Sequence, residues 1–134
     1  MEEIKVTFYS DKSESVILTC EVAKSIGAKM KGLMHRSSLP KNRGMLFPFS
    51  VPWFRGFWMK NVTIPLDIIF INRNLKILNI CEADVNSGWF HKIYWSRGLC
   101  KYVVECNKGF CKKHNILPDT KIEIKKDKKE SGAG

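Results

Sequence analysis

Pro65-Leu-Asp-Ile-Ile-Phe-Ile71, Asn72-Arg-Asn-Leu75 and Lys76-Ile-Leu-Asn-Ile-Cys-Glu-Ala83 form the stretch that decides the fold class. The first segment is β-branched and apolar and opens with proline, which suits a strand. The Asn-rich tetrapeptide is a turn, and the third segment reads as a returning strand, so 65–83 is an antiparallel hairpin. Working outward, Ile4 to Tyr9 alternates apolar and polar residues, and Val16 to Val22 follows a turn at Asp11 to Glu14, predicting a second hairpin. Ser25 is placed to cap a short helix to about Met34, with Ile26, Met30 and Leu33 on one face and Gly27 and Gly32 weakening it. Gly44 to Phe47 reads as a short buried strand. Pro48 and Pro52 argue against a central strand as far as Arg55. Residues 84–100 read as a long loop, Tyr102 to Cys106 as a strand, Asn107 as the cap of a short helix to about His114, and Lys121 to Ile124 as the last strand. Strands dominate without regular strand–helix alternation. The expectation is an α+β domain over 1–124, a mainly antiparallel sheet or partly closed barrel with two short helices, followed by a charged tail at 125–134.

The chain has 134 residues, and its 23 Lys and Arg against 13 Asp and Glu give a formal charge of +10. Residues 1–22 carry −3, residues 112–134 carry +3, and the body between them carries +10. That body holds only four acids, Asp67, Glu82, Asp84 and Glu105, so each needs its own explanation. Such charge speaks to anionic partners and solubility, not to fold. No apolar run approaches the ~20 residues of a spanning helix, and the start lacks the layout of a secretory signal. The expectation is a cytoplasmic protein without a membrane partner. Five cysteines make an odd number, which suits reduced thiols better than a disulfide framework. No C-x-x-C or H-E-x-x-H spacing is present, so neither a metal nor a cofactor is expected; Cys106, Cys111 and His114 form at most a partial cluster.

Two places carry candidate chemistry. The strand period sets Leu66, Ile68 and Phe70 on one face and Asp67, Ile69 and Ile71 on the other. A carboxylate in so apolar a strand needs a partner. Asp67 therefore either serves a ligand or catalysis, or accepts backbone N–H groups or pairs with Lys60 or Arg55 to fix the turn at 60–65. The second place is Phe47 to Met59, crowded with aromatics. There Trp58 and Met59 would wall a pocket, and Lys60 and Asn61 would orient a polar ligand such as a carbohydrate. The alternative there is ordinary core packing. Arg36 is either an anion clamp or a structural bridge. Single-stranded nucleic acid is a second reading, with Trp89, Tyr94 and Trp95 stacking on bases and Lys92, Arg97 and Lys101 meeting phosphates. An enzyme centred on Asp67, with His35 or His91, is a third.

Gly32-Leu-Met-His-Arg36, Leu39-Pro40, Gly44-Met-Leu-Phe47, Phe57-Trp-Met-Lys-Asn61, Ile64-Pro-Leu-Asp-Ile68 and Tyr102-Val-Val-Glu105 with Gly109-Phe110 occur in that order. Together they resemble the ordered blocks of the domain of unknown function 192 family, also called uncharacterised protein family 0127, over roughly residues 4–124. The resemblance implies a compact single domain found in bacteria and archaea, and it implies no particular activity. Residues 84–100 depart most from that pattern.

Overall fold

The computed structural model describes residues 2–11, 14–85 and 91–126. Trp89, Phe90 and the tail after Lys126 lie outside the described residues. Among the described residues nine strands and two short helices follow one another as β1 (Glu3–Tyr9), β2 (Ser15–Val22), α1 (Ile26–Lys31), β3 (Arg43–Trp53), β4 (Gly56–Trp58), β5 (Leu66–Ile71), β6 (Ile77–Ala83), β7 (Ile93–Trp95), β8 (Cys100–Asn107), α2 (Phe110–Lys113) and β9 (Lys121–Lys126). Seven strands form one sheet in the order β6-β5-β8-β3-β2-β1-β9, and β4 pairs with β7 in a separate ribbon. The fold is α+β, as the sequence predicts.

Both expected hairpins form, β1 with β2 and β5 with β6, each antiparallel. The parallel contact is β2 with β3, joined by α1 as the crossover. The sheet curls into a half-barrel whose outer strands approach at a bridge between Lys76 and Lys121. Backbone bonds from Ile77 N to Thr120 O (3.0 Å) and from Ile122 N to Leu75 O (2.8 Å) strengthen that seam.

Alternation along the strands divides the apolar residues into two clusters. Val6, Phe8, Leu18, Leu46, Ile69, Ile71, Val104, Cys106 and Ile122 fill the curl, with Phe110, Cys111 and Ile116 across it. Leu66, Ile68, Phe70, Phe47, Met45 and Val103 face the other way and pack under Leu33, Leu39, Met59, Val62 and Ile64.

Five local expectations are corrected. β3 runs through both prolines to Trp53. β2 accompanies it only from Arg43 to Leu46, so Pro48 lies on a stretch with a free edge, and the pairing with β8 is irregular between Pro48 and Trp53. β7 sits inside the expected 84–100 loop. The first helix ends at Lys31, where Gly32 takes φ 47°. The second begins after Gly109 and not at Asn107, which belongs to β8 and donates its Nδ2 to Leu39 O at 2.8 Å. The last strand, expected over Lys121 to Ile124, runs on to Lys126 as β9. Among the described residues no helix is long and apolar enough to cross a membrane.

Candidate functional site

Ser25 stops the chain in an extended conformation, and its Oγ accepts the Ala28 N–H at 3.0 Å, which starts α1. With six residues this helix has little stability of its own. Its apolar residues Ile26 and Met30 are 78% and 71% exposed, so the spaced apolar face the sequence shows is not buried beyond Leu33. That face borders a cavity of about 530 Å³ lined by α1, Gly32, Leu33, Phe47, Phe49, Arg55, Phe57, Trp58, Val62 and Glu105.

The aromatic walls are built by β3 and β4. Phe57 stands edge-on to Phe47 (5.0 Å between ring centres), Phe49 (6.5 Å) and Phe70 (6.1 Å). Trp58 is half-exposed, with the His91 ring 5.8 Å away and Lys60 Nζ 5.3 Å from its centre. Two cations gather at one ring: Arg55 Cζ lies 4.0 Å and Lys29 Nζ 4.6 Å from the centre of Phe49. Burial first, and Arg55 second, lower the pKa of Lys29.

The polar group of the inner cavity is Glu105, which shares the β8 face of Val103 and is only 4% exposed. Of the four acids in the basic body, Asp84 pairs with Lys108 (2.7 Å), Glu82 pairs with Lys112 (3.0 Å) and Asp67 takes a backbone N–H. The Glu105 side chain forms no hydrogen bond and no ion pair with another described residue. Burial alone pushes its pKa up to about 8, so at neutral pH the carboxyl is mainly protonated and can donate as well as accept.

The structure separates the residues singled out in the sequence. Trp58 lines the cavity, and Lys60 lies beside it over the indole. Asn61, also exposed, adopts φ 58° and accepts the His35 N–H on its carbonyl at 2.9 Å. Met59 is buried in the cluster beneath. Arg36 Nη1 donates to Glu21 Oε2, and its carbonyl accepts from Thr63 Oγ1 at 2.9 Å, so it bridges β2 to the 60–65 turn. Asp67 points into the curl, on the sheet face opposite the cavity. Its Oδ2 accepts the Cys111 N–H at 3.0 Å, and its Oδ1 is buried without a partner. Neither Lys60 nor Arg55 reaches it. His91 lies against Trp58, away from that carboxylate. Glu105 is the residue that sequence reasoning passed over; its signal was a carboxylate inside the apolar run Tyr102-Val-Val-Glu-Cys106 of a body with few acids.

All five thiols are free. Burial raises Cys20 to about 12 and also raises Cys81 and Cys100. A hydrogen bond with Cys111, then burial, holds Cys106 well above the ordinary thiol range. Protonated thiols are poor nucleophiles. His114 packs on the Phe110 ring at 4.7 Å, and among the described residues no group of three His, Cys, Asp or Glu side chains could hold a metal ion. On the second expected surface, Trp95 is exposed and Lys92 Nζ lies 4.9 Å from the Tyr94 ring. Lys101 is engaged, donating to Phe49 O at 2.6 Å and Ser50 O at 3.3 Å.

Residues 7–124 match the model of the family domain of unknown function 192, described as Uncharacterized ACR. Two solved structures are similar. One is a "putative transcription regulator" from Sinorhizobium meliloti 1021, 31% identical, with TM-score 0.84, covering 90% of this chain and 92% of that chain. The other is a protein of unknown function from Novosphingobium aromaticivorans DSM 12444, 30% identical, with TM-score 0.83, covering 90% and 84%. No curated protein matches.

Proposed function

The chain belongs to the domain of unknown function 192 family, and from that premise we propose that it binds a small polar ligand in the cavity between α1, β3 and β4. The observation that carries this reading is the unpartnered, buried Glu105 carboxyl in an aromatic-walled cavity of about 530 Å³. A carboxyl that faces a cavity with no protein partner is free to bond to a ligand that bears a complementary group. The volume falls within the range of small-molecule sites, and a few polar groups among apolar walls are their usual make-up. Of the residues marked in the sequence, Trp58 enters the site directly and Lys60 and Asn61 flank it; Met59, Arg36 and Asp67 support the surrounding structure. Glu105, Lys29 and Arg55 join the set.

The name of the Sinorhizobium relative raises DNA binding. The described helices have six and four residues, too short for a recognition helix in a major groove. The nucleic-acid reading therefore rests on Trp95, Lys92 and Arg97 without Lys101.

The test is an NMR titration of the ¹⁵N-labelled protein with neutral sugars, nucleosides, aromatic acids and a short single-stranded oligonucleotide. Shifts from a small compound should cluster on α1, β4 and Val62 and disappear in Trp58→Ala and Glu105→Leu. Shifts confined to β7 with the oligonucleotide, and none in the cavity with any compound, would overturn the reading.

A further inference from the structure

We propose that the ligand of this cavity is a small organic anion whose charged group is held by Lys29 and Arg55 and whose opposite end bonds to Glu105. The inference rests on the cavity being a ligand site, and it adds the class of ligand.

Three observations carry it. Lys29 and Arg55 converge on the Phe49 ring, and neither forms an ion pair among the described residues. Burial and the neighbouring Arg55 charge both disfavour the charged form of Lys29, and an anion in the cavity they line offsets both. Arg55 is also only partly satisfied: one Nη donates to Val51 O, while Nε is buried without an acceptor. Nε is sealed from the cavity, whereas Nη1 makes no hydrogen bond among the described residues and suits a carboxylate or phosphate oxygen. Finally, the acid that shares the cavity does not repel an anion. Burial keeps Glu105 mostly protonated at pH 7, and no cation offsets that burial, which sets it apart from the Lys29–Arg55 pair. The flat body of the ligand would lie between those two ends, against Phe57 and Trp58.

The experiment uses matched probes on the full chain at pH 7: 4-hydroxybenzoate, which carries an anion and a distal hydroxyl, and 4-hydroxybenzyl alcohol, its neutral counterpart. Cavity amide shifts are followed by NMR to saturation. The anion is expected to bind at least about tenfold more tightly, as a charge-assisted bond to the cation pair requires. Lys29→Gln, whose side chain makes no hydrogen bond to lose, should remove most of that preference, read as the ratio of the two probes' affinities within the same variant; Arg55→Gln should lower that ratio as well. Equal affinity of the two probes, or a preference that survives both substitutions, would overturn the anion assignment and leave the pocket reading standing. If neither probe perturbs the cavity, both fall.

Discussion

Asp67 Oδ2 accepts the backbone N–H of Cys111 at 3.0 Å, tying the start of β5 to the first turn of α2 across 44 positions of sequence. The same carboxylate leaves Oδ1 buried without a partner. A charge-assisted bond of this kind contributes about 1.5–3 kcal/mol. Asp67→Ala is expected to lower unfolding stability by about that amount in urea titrations. Asp67→Asn keeps an acceptor oxygen and should cost less. The folded fraction of either variant should bind cavity ligands as the parent does. Loss of binding by a stably folded Asp67→Asn protein would instead give this carboxylate a direct role.

Two glycines respond differently to an added methyl group. At Gly44 a Cβ would stand 2.6 Å from the Glu105 carbonyl oxygen and 3.3 Å from Cys20 Sγ, so β8 backbone would have to move. Gly44→Ala should cost about 2–3 kcal/mol or more, as overpacking against backbone does. At Gly32 the space is adequate, 3.4 Å to Phe47 and 3.7 Å to Glu105 Oε1, but φ is +47°. Gly32→Ala should cost about 1–3 kcal/mol through backbone strain, because φ 47° with ψ −127° is a conformation that residues with a side chain rarely adopt. Denaturant midpoints of the two variants give the order directly.

Stability should fall as pH rises through the window set by Glu105. Its ordinary value is 4.5 and burial raises it to about 8 in the folded protein. Between these values the folded state holds a proton that the unfolded chain has released, so its contribution is complete below 4.5 and gone above 8. The slope reaches about 1.4 kcal/mol per pH unit at most. Lys29, Lys31 and Arg55 are the basic side chains that line the same cavity. Urea unfolding of parent and Glu105→Gln at pH 5, 6.5 and 8 should show the variant gaining relative stability at each step upward; parallel profiles would contradict the assigned shift.

Removing the Ser25 hydroxyl should loosen the cavity's outer wall. An N-cap contributes about 1 kcal/mol, and α1 has few other bonds to hold it. Ser25→Ala is expected to speed hydrogen exchange at Lys29 and Met30 amides while leaving β5 and β8 amides protected, and to weaken cavity binding several-fold.

The strands that pair within a hairpin were readable because alternation and turn residues are local: Ile4 to Tyr9, Val16 to Val22 and 65–83 all form as their patterns predict. The capping role of Ser25 was readable for the same reason. The continuation of β3 through Pro48 and Pro52 was not, because a proline's tolerance depends on which edge the neighbouring strand leaves free, and that is decided by β2 stopping at Val22. β7 was hidden since it pairs only with three residues of β4. The site was half-legible. Trp58 stands out by composition, whereas Glu105 is marked in the sequence only as one of the body's four acids, and its place at the cavity follows from β8 seating beside β3 with Gly32 above it. Asp67 attracted attention for its chemistry, and its partner was a main-chain amide that no side-chain pattern announces.

The order of the strands bears on how the cavity comes into being. Its aromatic walls belong to residues 47–58, but its acid arrives on β8, which joins β3 in the register Gly44 to Cys106. A loop of roughly sixty residues must therefore close before the site exists, and such distant pairings place folding in the millisecond-to-second range. A nascent chain that has emerged only as far as β5 already displays Phe49, Phe57 and Trp58 with nothing to cover them. The cavity is then assembled only when β8 docks between β5 and β3, and a truncated chain ending before β8 should leave these aromatics open to solvent.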